Sequence, residues 1–250
     1  MNLRQLIHPD VDWLDSPSPQ RVARVATTAF AGLALYGFTV GYWRDPVMGV
    51  YVAIKLPLLI ALTLGANGLL NGLLGVLLGT GLRFRQSFLA LLTSFALAAL
   101  ILGSLAPVTF LLAWNAPAPD SEGARNAHSA YLITHTFLIG FAGIAANLHL
   151  HRLLVVKAPT RMAATVTLLA WLGGNGFLGA QFSWILRPFF GSPNLNVQFL
   201  RPDPMNGNFY ESVWRSVHSI GGEYGPFILF FILLLLVTPI LHAIQTTTKS

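Results

Sequence analysis

Cysteine is absent from this sequence of 250 residues, and charged residues make up only 10% of it. Without cysteine, the chain cannot form disulfides, zinc–thiolate sites or iron–sulfur clusters. Soluble domains carry about 25% charged residues. The low charge, together with a hydrophobic content of 54%, therefore excludes both an ordinary soluble protein and a disordered one.

Six stretches of the chain lack Asp, Glu, Lys and Arg entirely, and each is 19 to 34 residues long. A helix needs about 20 apolar residues to span a bilayer. We therefore expect an all-α integral membrane protein, a bundle of about six transmembrane helices. The predicted spans are 25–42, 47–82, 87–114, 129–150, 163–186 and 226–243. Residues 1–24 form an N-terminal segment, and 25–250 form a single membrane domain with an outer linker at 187–223.

The second apolar run is longer than one membrane crossing requires. The 27 residues after Lys55 would rise about 40 Å as a helix, against a hydrocarbon core of about 30 Å. This helix must tilt, kink at Pro57, or break near Asn67–Gly68. The sequence leaves these three alternatives open.

Carboxylates are missing from the predicted spans, since all nine Asp and Glu residues lie outside them. Ion-coupled transporters and intramembrane metalloenzymes usually place carboxylates inside the bundle. Motifs for a serine nucleophile, a zinc protease or a phosphate-binding loop are also absent. The sequence therefore favours a protein that is not an enzyme, and it predicts no metal site.

The basic residues are scattered over loops, which favours membrane topology over nucleic-acid binding. Six spans divide the 15 basic residues into nine on one side and six on the other. The positive-inside rule makes the side with nine cytoplasmic. Both termini then lie inside and the 187–223 linker outside. The six on the outer side are Arg44, Lys55, Arg125, Arg187, Arg201 and Arg215.

Glycines recur at steps of three and four in the second span, and small residues also share a face of the fifth span. Such residues let neighbouring helix backbones approach closely. We expect these positions to pack helices together; the alternative is a glycine-lined substrate path. The positions are Gly65, Gly68, Gly72, Gly75 and Gly79 in the second span, and Gly176 and Ala180 in the fifth.

Histidine is the only ionisable residue type left well inside the predicted spans. His135 and His149 are 14 residues apart in the fourth span, close to four helical turns, so they share a face. In this arrangement they are possible ligands of two stacked b-type haems. The alternative is that His135 bonds across helices and His149 lies among headgroups. No cofactor is predicted beyond this haem b hypothesis.

Two further sets of polar residues are candidates for contact with a lipid headgroup. Asn67 and Asn71 are four residues apart on the second span. They either hydrogen-bond between helices or line a polar cavity. In the outer linker, Arg187, Arg201 and Arg215 can either hold an anion such as a lipid phosphate or cap helix ends at the headgroup boundary.

The last part of this linker predicts an amphipathic helix over 208–220. Asn208 and Glu211 provide a start signal, and Gly221–Gly222 a stop. The apolar positions 209, 213, 217 and 220 follow helical spacing. We expect this helix to lie in the membrane plane because it is too short to cross a bilayer.

Several motifs resemble a group of bacterial multi-pass inner-membrane proteins of uncharacterised function. They are Lys55-Leu-Pro-Leu-Leu, Asn67-Gly-Leu-Leu-Asn-Gly, Phe182-Ser-Trp-Ile-Leu-Arg-Pro-Phe-Phe-Gly-Ser-Pro, Phe199-Leu-Arg-Pro and Gly207-Asn-Phe-Tyr-Glu. Some members of that group carry an actin-binding WH2 label, which this composition does not support. A looser similarity to Yip1-type membrane proteins rests on the Lys-Leu-Pro helix. The resemblance implies a bacterial inner-membrane location and transfers no functional residues.

These observations lead to a ranked set of functional hypotheses. The first is a non-enzymatic accessory or scaffold subunit of a larger membrane complex, with the lipid bilayer and other proteins as partners. The second is a transporter or lipid-handling membrane protein that uses the second span and the arginine-bearing linker. The third is a subunit associated with haem b or a quinone, which would use His135 and His149.

Overall fold

The computed structural model describes residues 12–79, 81–192, 195–224 and 227. These residues form helices and connecting segments, with no strand among them. Within the described part of the chain, a 3-10 turn, Gly222–Tyr224, follows the helix that ends at Gly221. The helices are α1 Asp12–Asp15, α2 Pro19–Tyr42, α3 Pro46–Leu77, α4 Phe84–Asn115, α5 Ala124–Lys157, α6 Arg161–Leu186 and α7 Phe209–Gly221.

Five of these helices, α2 to α6, are long and apolar enough to cross a membrane. The expected all-α membrane bundle is therefore confirmed. The sixth predicted span, 226–243, lies outside the described residues apart from position 227. Of the alternatives for the second span, a break is wrong: α3 is one continuous helix of 32 residues that contains Pro57.

Short polar caps set where the long helices begin. Ser18 accepts a hydrogen bond from the backbone N–H of Arg21 and is followed by Pro19, whose fixed φ suits the first helical position. Asp45 accepts from Val47 N–H at 2.7 Å, and Thr160 accepts from Ala163 N–H at 3.1 Å. The connections between α2 and α3 and between α5 and α6 have only three residues each, so these pairs are antiparallel neighbours.

The helix α2 occupies the centre of the tightest part of the bundle, where it packs against both α3 and α4. Glycine makes this approach possible. A Cβ on Gly37 would lie 2.6 Å from the carbonyl oxygen of Val52 in α3, and one on Gly103 of α4 would lie 3.0 Å from the Cα of Gly32. A similar backbone contact joins Gly41 to Met48.

The remaining long helices are held more loosely. The helix α6 packs mainly on α3, α5 packs mainly on α4, and α5 and α6 also meet each other. In the most apolar stretch of α5 only 22% is buried, and in that of α6 only 17%. The corresponding stretch of α4 is 56% buried. The hydrophobic core therefore lies among α2, α3 and α4, and much of α5 and α6 faces outward.

The described part of the N-terminal segment is tied to the bundle. Leu14 is buried in the core. The Asp15 carboxylate accepts from Lys157 Nζ at 2.5 Å and from Gln86 Nε2 at 2.6 Å. The hydrogen bond from Lys157 holds the pKa of Asp15 below its usual range.

The predicted amphipathic helix is confirmed as α7. Its start is capped by Asn208, whose side chain accepts from Glu211 N–H at 2.8 Å, and Gly222 follows it with a positive φ of 55°. Glu211 also pairs with Arg215 at 3.7 Å. The Tyr210 hydroxyl donates to the Phe177 carbonyl at 2.5 Å, which fixes α7 against α6.

The close approach of α2 to α3 predicts opposite effects for two Gly→Ala changes. Gly37→Ala forces a methyl group against the Val52 carbonyl, so we expect a loss of stability of about 1–3 kcal/mol. Gly65→Ala meets no neighbour within 4 Å among the described residues and should stabilise α3 by up to about 1 kcal/mol. Thermal unfolding in detergent measures both changes, and equal midpoints would contradict the packing described here.

Candidate functional site

The bundle contains a half-open cavity of about 280 Å³ bordered by α3, α4, α5 and α6. Its lining residues lie within the long apolar helices, where the loose packing of α5 and α6 leaves space beside the tight core. None of the described lining residues is ionisable, and most of this lining is apolar. A water molecule takes up about 30 Å³ of liquid, so the space corresponds to about nine waters, or to one small molecule or part of a lipid.

The polar side chains in the cavity wall differ in how fully their hydrogen-bonding groups are used. Thr63 donates to the Leu59 carbonyl and Ser94 to the Ala146 carbonyl. The Asn147 side chain uses its Nδ2 to donate to the Gly143 carbonyl at 2.8 Å, which assigns the other side-chain atom as an acceptor oxygen. This Oδ1 takes part in no hydrogen bond among the described residues.

A group of amides continues from the cavity wall into the contact between α3 and α6. Asn67 Nδ2 donates to Asn175 Oδ1 at 3.0 Å, and Trp171 Nε1 donates to the backbone oxygen of Asn71 at 3.0 Å. Asn175 and Trp171 line the cavity, whereas Asn67 and Asn71 are completely buried behind it. Asn67 therefore forms a hydrogen bond between two helices, which was one of the two alternatives for these amides.

Much of the hydrogen-bonding capacity in this group is unused. Asn67 Oδ1 and both side-chain polar atoms of Asn71 are buried with no partner in the part of the chain that is described, and so is Thr167 Oγ1. A buried unpaired polar group costs about 1–3 kcal/mol. These unpaired atoms lie behind the cavity wall, so the amides that a molecule in the cavity can reach are those of the lining residues Asn147 and Asn175.

The spacing of polar residues along α3 and along α6 brings these side chains together. Asn67 and Asn71 lie one turn apart on α3, and Thr167, Trp171 and Asn175 lie one turn apart on α6, so each set shares a helix face. Gly174 lies beside them, since a Cβ there would be in van der Waals contact with Asn67 Oδ1 at 3.4 Å.

A buried cation lies between this bundle and the linker. Lys55 is fully buried in α3. Its Nζ donates to the Pro188 carbonyl at 2.7 Å and lies 5.1 Å from the centre of the Phe199 ring. A carbonyl dipole and an aromatic face stabilise the ammonium group in place of a carboxylate. Lys55, one of the basic residues predicted on the outer side, is thus enclosed by protein and contacts the predicted outer linker.

Arg44 holds the same linker at a second place. Its Nε donates to the Ser192 carbonyl at 3.1 Å and its Nη2 to the Leu195 carbonyl at 3.0 Å. Lys55 and Arg44 together bind backbone oxygens of the segment after α6. This segment is thereby folded back over the ends of α2 and α3.

His135 lies in an aromatic cluster, apart from the cavity. Its Nδ1 is 2.6 Å from the Tyr36 hydroxyl, its ring packs 4.3 Å from Tyr131, and its Nε2 is buried without a described partner. The Tyr131 hydroxyl in turn donates to the Thr39 carbonyl. This arrangement joins α2 to α5 and corresponds to the interhelical alternative for His135.

His149, the other histidine proposed as a haem ligand, is buried and interacts with another group of the protein. Within the described residues, no group of three or more metal-ligating side chains comes together.

The small residues proposed for packing have different surroundings. Gly72 lies against Phe84, and Gly68 is within 3.7 Å of Phe84 and Phe88 as measured from an added Cβ. Gly75 is buried, and Ala180 is half-buried. Gly65, Gly79 and Gly176 have open space around them in the described structure, and Gly176 lines the cavity.

Arg187, Arg201 and Arg215 lie near one another at the end of α6. Arg187 stacks on Trp184, with its guanidinium carbon 3.5 Å from the ring centre. Its Nη1 donates to the Trp184 carbonyl at 2.5 Å. Burial lowers the pKa of Arg187, and the positive charge of Arg201 lowers it further. Arg215 reaches the same place from α7, because its Nη2 lies 3.9 Å from where a Cβ on Gly207 would be.

Sequence reasoning missed two features of the site. Trp171 gave no motif, yet it lines the cavity and caps a carbonyl of α3. The close glycine contacts of α2 were also missed, although Gly37 and Gly41 are four residues apart in an apolar run, which is the spacing typical of helix packing in membranes.

Comparison of the chain with protein-family models, with curated proteins and with solved structures finds no match.

Proposed function

We propose that this multi-pass membrane protein binds a neutral amphiphile inside its helix bundle and belongs to the lipid-handling or transporting membrane proteins. The observation that carries the proposal is the cavity among α3, α4, α5 and α6, whose wall combines apolar side chains with the amides of Asn147 and Asn175. An apolar cavity with a few polar groups is the usual form of a small-molecule site.

The chemistry of the lining defines the ligand class. No charged side chain faces the cavity among the residues that the structure describes, and an ion in an apolar site without a counter-charge is costly. A charged head is therefore disfavoured. Hydroxyl and amide heads can donate to the free Oδ1 of Asn147 and contact the amide of Asn175, which also lines the cavity, while the apolar lining suits a hydrocarbon body.

Ligand binding is tested with protein purified in mild detergent, from which bound lipids are extracted and identified by mass spectrometry. We expect one neutral amphiphile to be enriched over the membrane extract. Asn147→Leu should reduce its amount about three- to tenfold, because one hydrogen bond contributes about 0.5–1.5 kcal/mol. Gly176→Leu should remove it by filling the cavity.

Asn115→Leu is the matched control, since Asn115 is exposed at the end of α4 and away from the cavity. A lipid content equal to that of the bulk membrane in all variants would contradict the proposal. A haem absorption band in the purified protein would show that the bound molecule is haem b and not an amphiphile. His135 and His149 would then be the candidate ligands.

For the membrane and the orientation, we propose a bacterial inner membrane with both termini in the cytoplasm. The nine basic residues on the predicted inner side exceed the six on the outer side. This imbalance supports the orientation through the positive-inside rule.

Reporter fusions test this orientation. A reporter fused after Ser250 should report the cytoplasm, and one inserted at 205–206 should report the opposite side. A reporter at 159–160, between α5 and α6, should agree with the first. Signals from the same side at 159–160 and 205–206 would be incompatible with α6 as a membrane span.

A second candidate function is an accessory or scaffold subunit of a membrane complex. The outward faces of α5 and α6 favour it, because Gly140 and Gly173 have open space around them in the described structure. Small residues on a lipid-facing surface allow another helix to approach closely.

The scaffold function predicts that Gly140→Leu lowers the mass of the assembly isolated in mild detergent, because a large side chain blocks the close approach. Gly65→Leu is the matched control on the exposed side of α3. Mass photometry measures the assembly, and a wild-type protein that is isolated alone would rule out this second function.

A further inference from the structure

The end of α6 carries a cluster of three arginines that the cavity does not involve. Arg187 and Arg215 lie beside Trp184 and the turn at Asn206–Gly207, and Arg201 is close enough to Arg187 for their charges to repel. Arg187 is held in place by stacking on Trp184 and by donating to the carbonyls of Trp184 and Asn206, the latter at 3.4 Å. Trp184 Nε1 also donates to the Asn206 carbonyl at 3.2 Å.

The cluster has excess positive charge and unused hydrogen-bond donors. Arg187 Nε is buried with no partner among the described residues. Within the same part of the chain, Arg201 makes no hydrogen bond or ion pair. Arg215 reaches only Glu211, at a long 3.7 Å. Glu211 and the exposed Asp203 are the nearby carboxylates, so three guanidinium groups exceed the negative charge around them.

The surroundings of the cluster are apolar and aromatic. Phe177 on α6 stacks on Tyr210 of α7 with ring centres 4.9 Å apart. Phe177, Tyr210 and Trp214 are all exposed. Aromatic side chains are typical of the boundary between hydrocarbon and headgroups. An anion bound at the arginines would therefore lie beside a surface that suits acyl chains.

We propose that Arg187, Arg201 and Arg215 form a binding site for the phosphate group of an anionic membrane lipid. Guanidinium groups bind phosphate oxygens in pairs of parallel hydrogen bonds. Arg187 is the fixed element of the site, and Arg201 and Arg215 close on the phosphate from the linker and from α7. The site takes a charged headgroup, whereas the cavity takes a neutral one, so it does not depend on the proposed function.

The test is a lipid titration of the purified full-length protein followed by native mass spectrometry. Phosphatidylglycerol is the anionic probe and phosphatidylcholine the zwitterionic reference. We expect phosphatidylglycerol to bind in preference, and Arg201→Gln combined with Arg215→Gln to weaken it at least tenfold. Arg125→Gln, an exposed arginine on the same predicted side of the membrane, is the control and should leave binding unchanged.

A change of opposite sign separates lipid binding from a structural role. Glu211→Gln removes the carboxylate that competes for Arg215, so it should tighten phosphatidylglycerol binding severalfold. None of the three substitutions should shift the unfolding temperature in the absence of lipid, because Arg201 and Arg215 hold no other described element. A lower unfolding temperature without lipid would assign the arginines a structural role and overturn the proposal.

Two further outcomes would overturn it. Equal binding of both lipids by the wild type, or equal loss in the Arg125 control, would show that the attraction is a general one to anionic surfaces. Displacement of the lipid by excess inorganic phosphate would show that the cluster is a site for a free anion. Retention of the lipid under excess phosphate is the expected result, since the acyl chains add contacts that phosphate lacks.

Discussion

The close approach of α2 to α3 and α4 is the constraint on which the rest of the bundle depends. In lipid there is no hydrophobic force that drives apolar helices together, so van der Waals packing and interhelical hydrogen bonds must do so. Glycines at 32, 37 and 41 let the backbones touch. Between these helices the structure also places polar contacts, such as the 2.7 Å bond between the hydroxyls of Thr39 and Thr109.

This tight centre makes the looser packing of α5 and α6 possible. The helix α5 packs mainly on α4, and α6 packs mainly on α3. Space therefore remains between α5 and α6. The cavity lies in that space. The described part of its wall has no charged side chain, and the amides of Asn147 and Asn175 supply hydrogen-bonding groups among apolar residues, where an unpaired charge would be costly. A neutral amphiphile meets each of these conditions.

The position of the linker depends on two cations rather than on apolar packing alone. Lys55 and Arg44 donate to carbonyls of residues 188, 192 and 195, which satisfies backbone oxygens that an irregular segment would otherwise leave unpaired at the membrane boundary. With the linker held in this way, Arg187 stacks on Trp184, and α7 returns to α6. The arginine cluster is thus a consequence of how the linker is anchored.

The sequence by itself determined the helical membrane fold, five of its spans, and α7 with its Asn208 cap, because these features depend on local hydropathy and capping. It also identified the individual amides and arginines, since polar residues are conspicuous in such a chain. Only the tertiary structure decided that α3 is continuous, that Lys55 is buried, which glycines carry helix contacts, and that the amides adjoin a cavity. Glycine spacing is the same on a packed face and on a lipid-facing one, and a charge count does not distinguish a loop lysine from one enclosed by Pro188 and Phe199. The burial of Lys55 and the pairing of Asn67 with Asn175 depend on contacts between residues more than a hundred positions apart, which local pattern does not encode.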